Sequence, residues 1–257
     1  MPVDHLKVLN ALSICRTANL GGHIDQCNNC DHLRISYNSC RNRHCRKCQG
    51  INKEMWIIQQ EDMLLPVLYY HVVFTIPEQL NALCMFNPRV MYDLLFQSAW
   101  HTIKTLSNDP QWIGAKPAAT MILHTWSQKL ILHPHVHCIV PNGGLTNEGK
   151  WQYPKKGKDN FLYPVDAMKI IYRGFFMHKL KSMFQNNILN IPKGYLEKHG
   201  GFKKFKNLLY AKEWVAFTKQ TFSQAKHVID YLGRYSHRVA ITNRRIKNIV
   251  DGKVIVE

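Results

Sequence analysis

No apolar run in this sequence approaches the roughly 20 residues that cross a bilayer, and its opening, Met1-Pro2-Val3-Asp4, has none of the patterning of an export signal. A membrane-spanning or secreted protein is therefore not expected, and the expected location is the cytoplasm, in association with the nucleoid. Cysteine is sparse outside one segment: of eight, six fall between Cys15 and Cys48. That clustering, without an export signal, excludes a disulfide framework spread over the chain and favours metal binding. Acidic residues are scarce as well, with Asp+Glu 17 against Lys+Arg 34, a net charge of +17 and a pI of about 9.6. Such an excess on a chain with 46% hydrophobic residues implies a folded protein with a polyanionic partner, nucleic acid first among them.

Two familiar sites are missing. Gly144 and Gly149-Lys150 superficially resemble a phosphate loop, but Trp151 stands where a Ser or Thr would hold magnesium, so no nucleotide cofactor is expected. No His-x-Glu precedes a Pro-Cys-x-x-Cys, which excludes a zinc nucleobase deaminase.

What is present begins with His133-Pro134-His135-Val136-His137-Cys138-Ile139-Val140. A strand sends alternate side chains to one face, so His135 and His137 point together with Val136 opposite. Two neutral imidazoles so placed suit one shared divalent metal. The competing reading is a half-buried strand whose histidines hold nothing.

Cys27-Asn28-Asn29-Cys30 and Cys45-Arg46-Lys47-Cys48 form two CxxC knuckles separated by residues 31 to 44. Two such turns complete a tetrahedral zinc site of Cys27, Cys30, Cys45 and Cys48, closed by four protein ligands and so structural. Cys15, His23, Cys40 and His44 could make a second site or exchange into the first. Arg41, Arg43, Arg46, Lys47 and Lys53 crowd the second knuckle, a collar suited to DNA phosphates or simply a solvated basic face.

Along the chain, periodicity predicts helices over 5–20, 53–65, most of 77–107 with a break at Asn87-Pro88, 165–190 and 223–235. Strands are expected at 68–76, 119–126 and the histidine stretch, with another over Leu208–Lys212 and Trp214–Phe217, and a short one at 239–241. The loop from Lys150 to Lys158 interleaves Trp151 and Tyr153 with lysines, a composition that suits single strands. Tyr231 and Tyr235, four apart, share a helical face, and Arg234, His237 and Arg238 add charge around them.

Taken together these motifs resemble the IS91 family of rolling-circle transposases, the two-tyrosine branch of the HUH (histidine, hydrophobic residue, histidine) nucleases. Residues 39–45 with the flanking CxxC pairs look like its zinc-binding domain, His71 to Pro77 like its first catalytic strand, His133 to Pro141 like its HUH segment and Tyr231 to Ile241 like its nucleophile helix. The resemblance implies an α+β protein: a zinc-binding, DNA-contacting module over 1–65, then a ferredoxin-like antiparallel-sheet HUH domain over 66–257. It also implies a chain truncated at its C-terminus. The implied activity is that of an insertion-sequence transposase, a metal-dependent nuclease and strand transferase. It cuts and rejoins single-stranded DNA, at element ends and target, through a 5′-phosphotyrosine link. Tyr231 and Tyr235 would be the nucleophiles, and His135 and His137 would hold Mg or Mn. The third ligand is open, with His227 first, one turn before Tyr231, and His133, His124 and His237 behind it. DNA contacts fall to Arg41, Arg43, Arg46, Lys47, Arg234 and Arg238. Two alternatives stand beside this: a truncated, inactive copy that only binds DNA through its zinc module, and a replication initiator or relaxase using the same chemistry.

Overall fold

The computed structural model describes residues 3–127, 129, 131–155, 162–220, 229–230, 233, 246–250 and 253–256. Contacts divide the chain into one unit of Met1–Met63 with Gly233–Glu257 and a larger one of Leu64–Leu232.

The N-terminal unit opens with helix α1 (Val3–Ser13) and a 3-10 turn at Ala18–Leu20, where the predicted helix over 5–20 breaks. A hairpin follows, β1 (Gly22–Gln26) and β2 (Leu33–Tyr37), paired from Gly22↔Tyr37 to Gln26↔Leu33. Its base is tied by the amide of Asn38 to the Gly21 carbonyl at 3.0 Å and that of Arg16 to the Asn38 carbonyl at 3.1 Å. Helix α2 (Arg46–Asp62) starts seven residues earlier than the periodicity predicted (53 − 46), with Cys45 as its N-cap. Near the C-terminus β9 (Ile246–Val250) and β10 (Lys253–Val256) pair antiparallel.

The larger unit is built on a four-stranded antiparallel sheet in the order β4-β5-β3-β8, where β3 is Tyr69–Thr75, β4 Thr120–Trp126, β5 Leu132–Pro141 and β8 Val215–Gln220. The predicted α+β architecture, with the histidine strand inside an antiparallel sheet, is what the chain forms. β5 and β3 are the two inner strands. Alternation gives the sheet two unlike faces. Val72, Phe74, Val136, Cys138 and Val140 are fully buried on one. Their cover comes from α4 (Pro88–Asn108) and α5 (Val165–Gln185), which contribute Leu94, Leu95, Ile103, Tyr172 and Phe176 to the same core. Phe74 meets Tyr172 with ring centroids 4.9 Å apart. A short α3 (Asn81–Phe86) precedes α4, and Pro88 at the start of α4 gives the predicted break, since proline costs nothing where a helix amide has no partner.

On the other face lie His71, Val73 and Thr75 of β3, paired with Ile139, His137 and His135, and flanked by Val215, Phe217 and Lys219 of β8, all three exposed. Small pairs complete the unit: β6 (Gly144–Leu145) with β7 (Trp151–Gln152), then α6 (Tyr195–Lys198) and α7 (Phe202–Ala211). Here one expectation fails. Residues 208–211 end helix α7 instead of forming a strand, because Phe205 and Leu209, four apart and fully buried, anchor one helical face to the core. The strand begins only at Val215. The predicted helix over 223–235 and strand at 239–241 lie almost wholly outside the described residues.

Candidate functional site

Strand pairing assembles the site on the sheet face opposite the α4–α5 core. β5 lies between β4 and β3, with His124↔His135, Ile122↔His137, Val73↔His137 and Thr75↔His135 as register partners. Directly paired residues share a face, so the register gathers His124, His135 and His137. One ring nitrogen from each lies within 4.8 Å of the others. His124 and His137 are buried and His135 is partly so.

The protonation of this cluster follows from burial. Removing water disfavours imidazolium, which pushes His137 down to about 3, with the charges of His71, His135 and His124 adding to the effect. Burial and then the His135 charge push His71 to about 4, and burial lowers His135 as well. At neutral pH these rings are neutral, the form that binds metal. The Nδ1–H of His135 donates to the His133 carbonyl at 2.6 Å, and a carbonyl can only accept, so the His135 lone pair sits on Nε2. That Nε2 lies 3.1 Å from His124 Nδ1. The distance suits a hydrogen bond, and also two lone pairs on one cation, whose neighbouring ligands stand roughly 3 Å apart in octahedral geometry. Three imidazoles on two strands fit a divalent transition metal, Mn among them, better than they fit Mg, which takes oxygen ligands.

The structure thus joins His124, a secondary candidate by sequence, to His135 and His137. His133 is exposed and takes no part beyond its carbonyl. His227, the first candidate for third ligand, lies outside the described residues, as do His237, Tyr231, Tyr235, Arg234 and Arg238. His71, which opens the stretch likened to the first catalytic strand but was given no role of its own, also faces the cluster: its Nε2 is 2.8 Å from His137 Nδ1, with the rings tilted by only 11°.

A second cluster lies in the N-terminal unit and corrects the predicted zinc site. Cys45 and Cys48 meet Cys15 and Cys40, not Cys27 and Cys30. The Sγ separations are 3.6 Å for Cys15–Cys48, 3.8 Å for Cys40–Cys48 and 3.5 Å for Cys45–Cys15. Four thiolates at about 2.3 Å around tetrahedral zinc stand about 3.8 Å apart, so the four sulfurs fit that ion. Backbone amides of Cys40 and Asn42 point at Cys15 and Cys40 Sγ, at 3.5 and 3.4 Å. The first turn of α2 adds its positive dipole end to Cys45 and Cys48. Burial pushes the Cys40 thiol up to about 12, and a cation beside that sulfur would favour its thiolate.

The reason for the changed partners is the hairpin. Cys15 precedes it and Cys40 follows it, so its closed base brings them together. Cys27 and Cys30 are exposed at its tip, about 15 Å away at roughly 3.3 Å per strand residue. There the amides of Asn29 and Cys30 lower the Cys27 thiol below its ordinary range. The second grouping of Cys15, His23, Cys40 and His44 does not form either: His23 lies exposed beside Asp25 at 3.6 Å, and His44 is exposed. Arg41, Arg43, Arg46 and Lys47 are all exposed around the four-thiol cluster.

Residues 118–257 match the family model described as "Putative transposase", and residues 1–76 match the "Transposase zinc-binding domain" of IS91 type. The chain belongs to the IS91 family of transposases. A putative transposase y4qJ of Sinorhizobium fredii is 40% identical over 251 residues, covering 96% of this chain and 62% of that protein. The transposase for insertion sequence element IS801 of Pseudomonas savastanoi pv. phaseolicola is 24% identical, covering 97% of this chain and 59% of its own. The chain therefore spans about 60% of the length of these transposases. Among solved structures, the metal-bound conjugative relaxase TrwC in complex with oriT DNA aligns with a TM-score of 0.35 and 14% identity, over 44% of this chain and 43% of that one. A copper-bound form of the same complex gives 0.33 and 10%, over 66% and 70%. At that level the likeness assigns no residue. Among the described residues, no helix is long and apolar enough to cross a membrane.

Proposed function

We propose that this IS91-family chain cuts and rejoins single-stranded DNA by tyrosine attack, with His124, His135 and His137 holding a divalent cation beside the scissile phosphate, Mn in preference to Mg because all three ligands are imidazoles. The observation that carries this is the meeting of those three imidazoles on the sheet face opposite the α4–α5 core. Bound there, the cation would polarise a phosphate oxygen as a Lewis acid.

The chain's own residues do the rest. The Tyr231 or Tyr235 oxygen attacks phosphorus, forming a 5′-phosphotyrosine bond. The bond to the 3′ oxygen breaks, and that oxygen takes up a proton to become a 3′-hydroxyl. The covalent link conserves the energy for rejoining, and two tyrosines allow two successive transfers. Tyrosine, with an ordinary pKa near 10, is a weak nucleophile at neutral pH, so stabilising charge at the phosphate must lower most of the barrier. The basic collar of Arg41, Arg43, Arg46 and Lys47, on a module folded around zinc, supplies sequence-independent grip on the backbone. Arg234 and Arg238 would do the same near the nucleophiles.

The test is covalent capture on single-stranded DNA carrying an element end, with manganese, read as a slow-migrating protein band after denaturation. Wild type should form the adduct and Tyr231→Phe/Tyr235→Phe should not. An adduct that survives the double substitution removes the tyrosine mechanism. DNA binding without any adduct leaves a zinc-dependent DNA-binding protein.

A further inference from the structure

An imidazole that binds a cation through one nitrogen is aimed by what its other nitrogen meets, and the partner is commonly a carbonyl or carboxylate. The two β5 ligands differ in this respect. His135 is held by main chain two residues back, through Nδ1–H to the His133 carbonyl at 2.6 Å. His137 has a side-chain partner from another strand: His71 Nε2, 2.8 Å from its Nδ1, with the two rings nearly parallel at 11° and centroids 5.1 Å apart.

We propose that His71 is a positioning residue of the metal site, accepting the Nδ1–H of His137 so that the opposite nitrogen, Nε2, is aimed at the cation. The inference rests on the metal site put forward above and deepens it. His71 sits on inner strand β3, paired on both sides through His71↔Ile139 and His71↔Lys219, so its backbone is fixed by two neighbouring strands. Its ring reaches diagonally across the ladder, since the direct partner of His137 is Val73. Accepting that hydrogen bond at Nε2 puts the His71 proton on Nδ1, and His137, with Nδ1 protonated, carries its lone pair on Nε2. The side chain thereby selects a tautomer as well as an orientation, as the His133 carbonyl does for His135.

The measurement is Mn(II) affinity of the full chain carrying one equivalent of zinc, enough for the four-thiol cluster alone, without DNA, from the free-ion signal in electron paramagnetic resonance. Manganese is an oxygen- and imidazole-seeking ion that leaves the thiol cluster alone. His71→Leu, which fills the space but accepts nothing, should weaken Mn(II) binding by about 10- to 100-fold. His71→Gln, whose amide oxygen can accept the same Nδ1–H, should recover most of it. Thermal melting of both variants identifies any that fails to fold, and the gap between Gln and Leu is the deciding quantity. Equal losses in the two, or wild-type affinity in His71→Leu, would overturn the assignment. A loss in His71→Gln as deep as that in His137→Ala would make His71 a ligand instead. Failure of the wild type to bind Mn(II) would sink the metal site and this inference together. Normal wild-type binding with an indifferent His71→Leu would sink the inference alone.

Discussion

His124 and His135 are eleven residues apart in the chain (135 − 124) and face each other across the β4–β5 ladder, Nδ1 of one 3.1 Å from Nε2 of the other. That contact makes a triad of the His135-Val136-His137 pair and carries a first prediction. His124→Ala should lower Mn(II) affinity and covalent DNA capture as severely as His137→Ala. Both losses should exceed the roughly 100-fold that a supporting partner is worth. His133→Ala should bind Mn(II) within a few-fold of wild type, because its contribution to His135 is a backbone carbonyl that the substitution keeps. Metal titration in parallel with adduct yield checks it, and an unimpaired His124→Ala would return the third position to His227 or another residue.

The zinc module carries the second. Cys15→Ser and Cys40→Ser should each release about one equivalent of zinc, as Cys48→Ser does, since each removes one of four ligands from a closed tetrahedral site. Cys27→Ser and Cys30→Ser, at the exposed hairpin tip, should keep that equivalent. Elemental analysis after dialysis reads the outcome. Zinc retained in Cys15→Ser but lost in Cys27→Ser would restore the pairing of the two knuckles.

How much of this was legible in the sequence depends on the range over which each signal acts. The inner strands were readable because 68–76 is rich in β-branched and aromatic residues between prolines, and because His135 and His137 alternate with Val136 and Cys138. The stretch from Leu208 to Ala211 was misread because three bulky residues in a row resemble a strand. What makes it helical is Phe205, earlier in a lysine-rich run whose period is masked by charge. The knuckles were paired by local spacing, whereas Cys15 and Cys40 meet only because the hairpin between them closes at Gly22↔Tyr37. His124 and His71 needed the β4–β5–β3 register, which no single strand contains.

Acidification provides a third prediction. In the folded chain His137 is held at about 3 and His71 at about 4, both from an ordinary 6.5, chiefly by burial. Between those values the unfolded chain binds more protons than the folded one, so stability falls as pH falls through that window and is fully present above it. The melting temperature without added Mn or Mg should therefore drop from pH 7 toward pH 4, and the drop should be smaller in His137→Gln. An unchanged slope in that variant would show that other groups drive the acid loss.

The two faces of the sheet make the last prediction. Phe74 and Phe217 sit on neighbouring strands β3 and β8, but Phe74 is fully buried and Phe217 is 47% exposed, because Phe217 pairs with Val73 and Phe74 with Ala216. Phe74→Ala empties a space against Tyr172 and should cost about 3–5 kcal/mol. Phe217→Ala removes a ring from the other face and should change stability by no more than about 1 kcal/mol, since little buried area is lost. Urea denaturation of the two variants measures the difference. Comparable costs would mean that Phe217 is packed against a partner in the working protein, which would overturn its reading as an exposed ring.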